Sequence, residues 1–117
     1  MPTAPSKPPL SAIRFAGDVA YISGQLPRNA DGAIIAGDMV AQTRQSLSNL
    51  RQILESNNLT LADVVKVTAW LTDAALMNDF NAAYREFFAA PFPARSVVVS
   101  ALVAPGAVVE IEAVASR

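Results

Sequence analysis

The chain contains no cysteine and no histidine among its 117 residues. Without cysteine there are no disulfides, thiolate nucleophiles or cysteine metal sites. Without histidine as well, structural zinc, Ser-His-Asp and Cys-His chemistry and paired-histidine ribonuclease chemistry fall away. Asp, Glu, Arg, Lys, Ser, Thr, Tyr and ordered water remain as the catalytic palette. Charge is also scarce: 16% of residues are charged, against ~25% in ordinary soluble domains. Nine Lys and Arg against ten Asp and Glu leave a net charge of −1, which offers no nucleic-acid footprint. No apolar run approaches the ~18 residues of a membrane span, and the N-terminus lacks the apolar core of a signal peptide. These features predict a cytoplasmic protein with no membrane partner.

Apolar residues, by contrast, are plentiful at 52%. A chain of this length builds one domain around one core. Met1 to Pro9 carries four prolines and reads as a flexible extended arm, so the domain is expected over residues 10–117. Ala12 to Ala16 and Val19 to Ser23 flank Gly17-Asp18 as a hairpin of short strands. Pro27, Asn29, Asp31, Gly32 and Gly37 make a loop of the next stretch. Asp38 caps a helix running to about Asn57, with apolar residues at Met39, Val40, Leu47, Leu50, Ile53 and Leu54. Val64 to Leu71 reads as a strand with Val65, Val67, Ala69 and Leu71 on its apolar face. A second helix is expected over Leu76 to Ala89, with Tyr84, Phe87 and Phe88 on its core stripe. Pro91 and Pro93 end it.

The last stretch, Pro91 to Ala115, predicts a hairpin of two β-branched strands, Ser96 to Val103 and Val108 to Ala115, joined by a type II turn at Pro105-Gly106. The element order is then ββαβαββ. Two helices cover one face of such a sheet, whereas the last two strands read as apolar on both faces. An antiparallel sheet with one wet face alternates, so the second face is expected to be covered by another subunit.

Three charges interrupt the apolar C-terminal stretch. Arg95 opens a strand, where its guanidinium either pairs with Glu110 or Glu112 or grips a ligand carboxylate through two parallel hydrogen bonds. Glu110 and Glu112 share one strand face about 7 Å apart, too far to share a proton, and their residue types alone do not decide which one serves a site. Ser23, without a histidine, is a poor nucleophile but a competent hydrogen-bonding group.

The segments FPARS from Phe92, PGAVVEIEAVA from Pro105, YISGQLP from Tyr21, QTRQSLSNLRQIL from Gln42 and NAAYREFF from Asn81 together resemble the YjgF/RidA family, the reactive-intermediate deaminases formerly named L-PSP endoribonucleases. The resemblance covers nearly the whole chain, in the family's order. It implies an α+β, chorismate-mutase-like ββαβαββ sheet with two helices on one face, assembled as a homotrimer with sites in clefts between subunits. It implies hydrolytic deamination of small enamine or imine acids, such as 2-aminoacrylate and 2-iminopropionate, to 2-oxo acids and ammonia, with no metal and no organic cofactor. Arg95 matches the substrate-carboxylate arginine, helped by the backbone at Val97. Glu110 matches the water-activating glutamate and Glu112 its structural neighbour. Ser23 and Asn81 match cleft positions. Two positions depart from the pattern: Leu10 falls where many members carry a site tyrosine, which neither Tyr21 nor Tyr84 is expected to replace, and Val97 stands where many carry a cysteine. A non-catalytic trimeric binder of small carboxylates, or a chaperone-like protein, is the alternative; a ribonuclease fits the composition less well.

Overall fold

The computed structural model describes residues 7–117, so the arm expected over residues 1–9 lies largely outside the described residues. The strands are β1 (Ile13–Ala16), β2 (Val19–Gln25), β3 (Val64–Leu71), β4 (Ala94–Val99) and β5 (Val109–Ser116), and the helices are α1 (Met39–Glu55) and α2 (Met77–Arg85). The ββαβαββ order is the expected one.

Gly17, at the first central position of the β1–β2 turn, has φ +58, the left-handed value that two-residue hairpin turns place on glycine. Helix α1 begins where the Asp38 carboxylate accepts the Ala41 N–H at 2.9 Å. Asn58, at φ +61, turns the chain out of it, and the Leu59 N–H closes the end on the Leu54 carbonyl. Its buried residues, Met39, Thr43, Leu47, Leu50 and Leu54 among them, recur at the spacing of one helical face.

Helix α2 is shorter than the Leu76–Ala89 span expected. A 3-10 turn over Ala74–Leu76 precedes it, with the Asp73 carboxylate accepting the Ala75 N–H at 2.9 Å. The backbone tightens after Arg85 into bonds from Glu86 to Ala83 and from Phe87 to Tyr84. Phe88 is nevertheless buried, whereas Phe87 is half-buried beneath Arg51, 5.2 Å from its ring centroid.

The sheet order is β1-β2-β5-β3-β4, which overturns the expected final hairpin. Strand β4 runs parallel to β3 at the sheet edge, and β5 lies antiparallel between β2 and β3. The cause is the crossover: β3, α2 and β4 form a βαβ unit, and a helix of this length returns the chain parallel beside the strand it left. That leaves the inner slot to β5, whose Val109, Ile111, Ala113 and Ala115 are all buried. Pro105-Gly106 sits in the connecting loop. Buried Gln42 clamps that loop, donating to the Gly106 carbonyl at 2.9 Å and accepting the Val108 N–H at 2.8 Å. The strand expected to reach Val103 ends at Val99, and Val103 is almost wholly exposed.

A second correction concerns β3. Val64 is buried and Val65 is 50% exposed, because pairing with β5 slips by one residue between Val64 and Lys66. Val65 is the extra residue of a bulge, which turns it away from the core. Val67, Ala69 and Leu71 then keep the expected inward direction.

Both helices pack on one face of the sheet, with Leu47, Leu50, Leu54, Phe80 and Tyr84 against the inward residues of β2, β3 and β5. The other face has no layer over it among the described residues. It is mixed rather than apolar on both strands as expected: Tyr21, Trp70, Val98 and Val114 stand beside Ser23, Thr68, Glu110 and Glu112. No described helix is long and apolar enough to cross a membrane.

Candidate functional site

Arg95 is the second residue of β4, opposite buried Val67. Paired residues of a sheet share a face, so Arg95 points to the helix side. There its guanidinium carbon lies 4.8 Å from the Tyr84 ring centroid and 5.5 Å from that of Phe80. The rings pack against one another at a tilt: Phe80–Tyr84 at 5.6 Å and 42°, Tyr84–Phe88 at 4.7 Å and 30°. Aromatic faces attract the cation and hold its fork in one place. No carboxylate among the described residues pairs with it; the ion pair they contain is Arg44–Glu86 at 2.9 Å. The pairing with Glu110 or Glu112 left open by the residue types is therefore absent within the chain.

Arg95 lines a cleft of about 240 Å³ with Asn81, Tyr84, Arg85, Phe92 and Pro93. The Asn81 Oδ1 and the Tyr84 hydroxyl are buried and have no hydrogen-bond partner among the described residues. Val97 lies two residues further along β4, its side chain half-buried against the core. The Ser100 N–H donates to the Leu71 carbonyl at 3.0 Å. By the alternation of a parallel ladder, Ser96 and Val98 bond toward β3, while Arg95, Val97 and Val99 turn their N–H groups to the free sheet edge.

On the opposite face, β2 and β5 slip register between Ile22 and Gln25. Ser23 and Gly24 occupy the resulting bulge. The Ser23 hydroxyl donates to the Ser11 carbonyl at 2.6 Å, which ties the segment before β1 to this site and leaves the hydroxyl oxygen free to accept. A cleft of about 630 Å³ opens here, lined by Leu10, Ser11, Arg14, Tyr21, Ser23 and Glu112 among others. Leu10 is 65% exposed in it.

The Glu110 side chain rests against the backbone of Gly24. A Cβ at position 24 would lie 2.7 Å from Glu110 Oε2, so this close approach requires glycine. Burial, reinforced by the neighbouring Glu112 charge and partly opposed by Arg28, raises the Glu110 pKa above its ordinary value. A carboxylate with a raised pKa is a stronger base. Trp70 faces it from β3 and Thr68 faces Glu112.

Within one chain, then, Arg95, Asn81 and the Val97 edge form one group, and Ser23, Leu10 and Glu112 form another with Glu110 beside it. Arg95 and Glu110 project from opposite faces of the sheet. Sequence reasoning missed two features. Tyr84, read as core, lines the Arg95 cleft with its hydroxyl unpartnered; the Asn81-x-x-Tyr84 spacing, i and i+3 on one helical face, was the available signal. Gly24 makes room for Glu110, which only the β2–β5 register reveals.

These features define a two-layer α+β protein in which an arginine in a surface cleft and a carboxylate of raised pKa on the opposite face stand free of ion pairs among the described residues. The family described as Endoribonuclease L-PSP matches residues 2–117. The chain is 42% identical over 113 residues to a RutC family protein of Pyrococcus horikoshii, covering 93% of this chain and 87% of that one. It is 41% identical over 107 residues to the 2-iminobutanoate/2-iminopropanoate deaminase of Escherichia coli, covering 86% and 81% respectively. The crystal structure of RidA from an Antarctic Psychrobacter superposes with a TM-score of 0.89 at 32% identity, over 97% of this chain and 92% of that one. This chain belongs to the YjgF/RidA family.

Proposed function

We propose that this chain hydrolyses small 2-imino acids to 2-oxo acids and ammonia, as a chorismate-mutase-like homotrimer whose sites lie between subunits. The observation that carries the reading is an Arg95 guanidinium held over two rings with no carboxylate of its own chain. The 41% identical relatives named 2-iminobutanoate/2-iminopropanoate deaminase support the reaction class. The separation of Arg95 from Glu110 by the thickness of the sheet supports the assembly, because a second copy is what brings an Arg95 cleft against a Glu110 face.

In this reading Arg95 grips the substrate carboxylate with two charge-assisted hydrogen bonds, each contributing about 1.5–3 kcal/mol, and the Val97 N–H at the sheet edge adds a third. Asn81 and Ser23 orient the imine. Water, held by Glu110, attacks the imine carbon and gives its proton to the carboxylate. Addition to the protonated imine gives a carbinolamine whose nitrogen takes that proton; Glu110 then draws the remaining hydroxyl proton as the C–N bond breaks, releasing ammonia and the 2-oxo acid. General-base help of this kind typically contributes ~10²–10⁴-fold. Every step uses this chain's own side chains and water.

The test generates imino acids from several amino acids with an amino-acid oxidase, traps free imine with semicarbazide and lets the protein compete. Suppression of the semicarbazone signal by the wild type, lost in Arg95→Ala with fold and assembly intact, is the expected result. A folded trimer that suppresses no imine favours the second reading, a non-catalytic carboxylate binder, for which Leu10 speaks by leaving the Ser23 cleft without a tyrosine. Cleavage of RNA, lost in Glu110→Ala, would overturn both in favour of the ribonuclease name the family carries.

A further inference from the structure

The Arg95 cleft holds a polar group that the reaction above does not use. Tyr84 stands one helical turn beyond Asn81 on α2, its ring packed between Phe80 and Phe88 and under Arg95. A ring fixed on these sides cannot swing its hydroxyl out to water. That hydroxyl is buried with no partner among the described residues, and a buried hydroxyl left unpaired is costly. Burial raises its pKa above the ordinary tyrosine value, with Arg95 opposing, so at neutral pH it is a protonated donor. It needs an acceptor, and guanidinium has none to offer.

An anion on Arg95 meets this requirement. A carboxylate has about four lone-pair sites, and a bidentate arginine uses two of them. We propose that the Tyr84 hydroxyl is a substrate-binding group of this protein, donating a hydrogen bond to the carboxylate that Arg95 grips. The inference rests on the reading of Arg95 as the carboxylate-binding arginine. It assigns Tyr84 to recognition of the acid group, common to every 2-imino and 2-oxo acid, and not to discrimination among their side chains.

The experiment compares wild type, Tyr84→Phe and Arg95→Ala for affinity toward 2-oxobutanoate by calorimetry, for imine turnover and for melting temperature. Tyr84→Phe keeps the ring on which Arg95 rests and removes one oxygen. Its affinity and kcat/KM are expected to fall roughly 10–100-fold, mostly through KM. Its melting temperature without ligand is expected to equal or exceed the wild type, because the hydroxyl has no partner to lose among the described residues. Unchanged affinity in Tyr84→Phe, while Arg95→Ala loses binding, overturns the Tyr84 assignment alone. A lower melting temperature with unchanged affinity marks the hydroxyl as structural and also overturns it. A wild type that binds no 2-oxo acid and turns over no imine overturns the Arg95 reading and this inference with it.

Discussion

Gly24→Ala isolates the placement of Glu110 from everything else in the fold. A Cβ there would stand 2.7 Å from Glu110 Oε2, 3.0 Å from Cδ and 3.2 Å from Cγ. Restoring ordinary contact of about 3.5 Å moves the carboxylate by about 0.8 Å. Because three consecutive side-chain atoms are crowded, the whole Glu110 side chain must change direction. Gly24 does not have the positive φ of Gly17, Gly32, Gly37 and Gly106, so alanine's backbone is acceptable there. The new residue gains about 0.4–1 kcal/mol from lower unfolded-state entropy, offset by about 0.5–1.5 kcal/mol if Glu110 leaves its rotamer. Stability therefore changes by less than about 1 kcal/mol, or about 4 °C in Tm for a chain of this size. Catalysis is less tolerant, since a misplacement near 1 Å costs about 10²-fold. The assay is imine competition with semicarbazide, run beside thermal denaturation. Full activity in a variant whose Tm is unchanged would refute the assignment of Glu110, resting against Gly24, as the base.

Three further outcomes follow from the geometry of the two clefts and of Glu110. The folded state raises the Glu110 pKa, so the stability linked to this group is fully present below its unfolded pKa and is lost as pH rises through the folded one. Glu110→Gln should accordingly melt higher than the wild type at neutral pH, with the gap closing below the ordinary value of 4.5; a gap independent of pH would contradict this. The wild-type rate should also fall on the acid side at a pH above that ordinary value, because the base works as carboxylate. Leu10→Tyr sets a hydroxyl in the cleft with Ser23 and Glu112 and, at so exposed a position, should leave stability within ~0.5 kcal/mol. It is expected to raise kcat/KM on small imines by roughly tenfold; an unchanged rate would show that Leu10 is no handicap.

Local signals were legible where local physics decides. Gly17 and Asp38 mark a turn and a helix start through backbone conformation and capping, and each does so in the structure. The helical stripe of α1 was readable from periodicity, whereas β5, read as apolar on both faces, shows its inward Val109, Ile111, Ala113 and Ala115 only once its pairing is known. What was not readable depends on contacts distant in the chain. β4 and β5 are neighbours in sequence but not in the sheet, because the βαβ crossover sends β4 to the edge beside β3. The β3 bulge reverses Val64 and Val65 through pairing with β5, which no single-strand alternation encodes. At the site, Arg95 and Glu110 were identifiable from charge within an apolar stretch and from the motifs around them. Their opposite orientations were not, since each depends on the phase of a different strand. Tyr84 was hidden by its own apolar periodicity: the same ring serves the core and the cleft.

The most direct test is complementation between two inactive chains. Arg95→Ala and Glu110→Ala subunits, each expected to be inactive alone, are co-expressed so that they assemble at random, and imine hydrolysis is measured in the mixed assemblies. If each site takes Arg95 from one subunit and Glu110 from its neighbour, about a quarter of the sites in a closed ring receive both intact residues. The mixture should then recover about a quarter of wild-type activity. Mixed assemblies with no activity would contradict the account, because Arg95 and Glu110 would not be meeting across a subunit boundary.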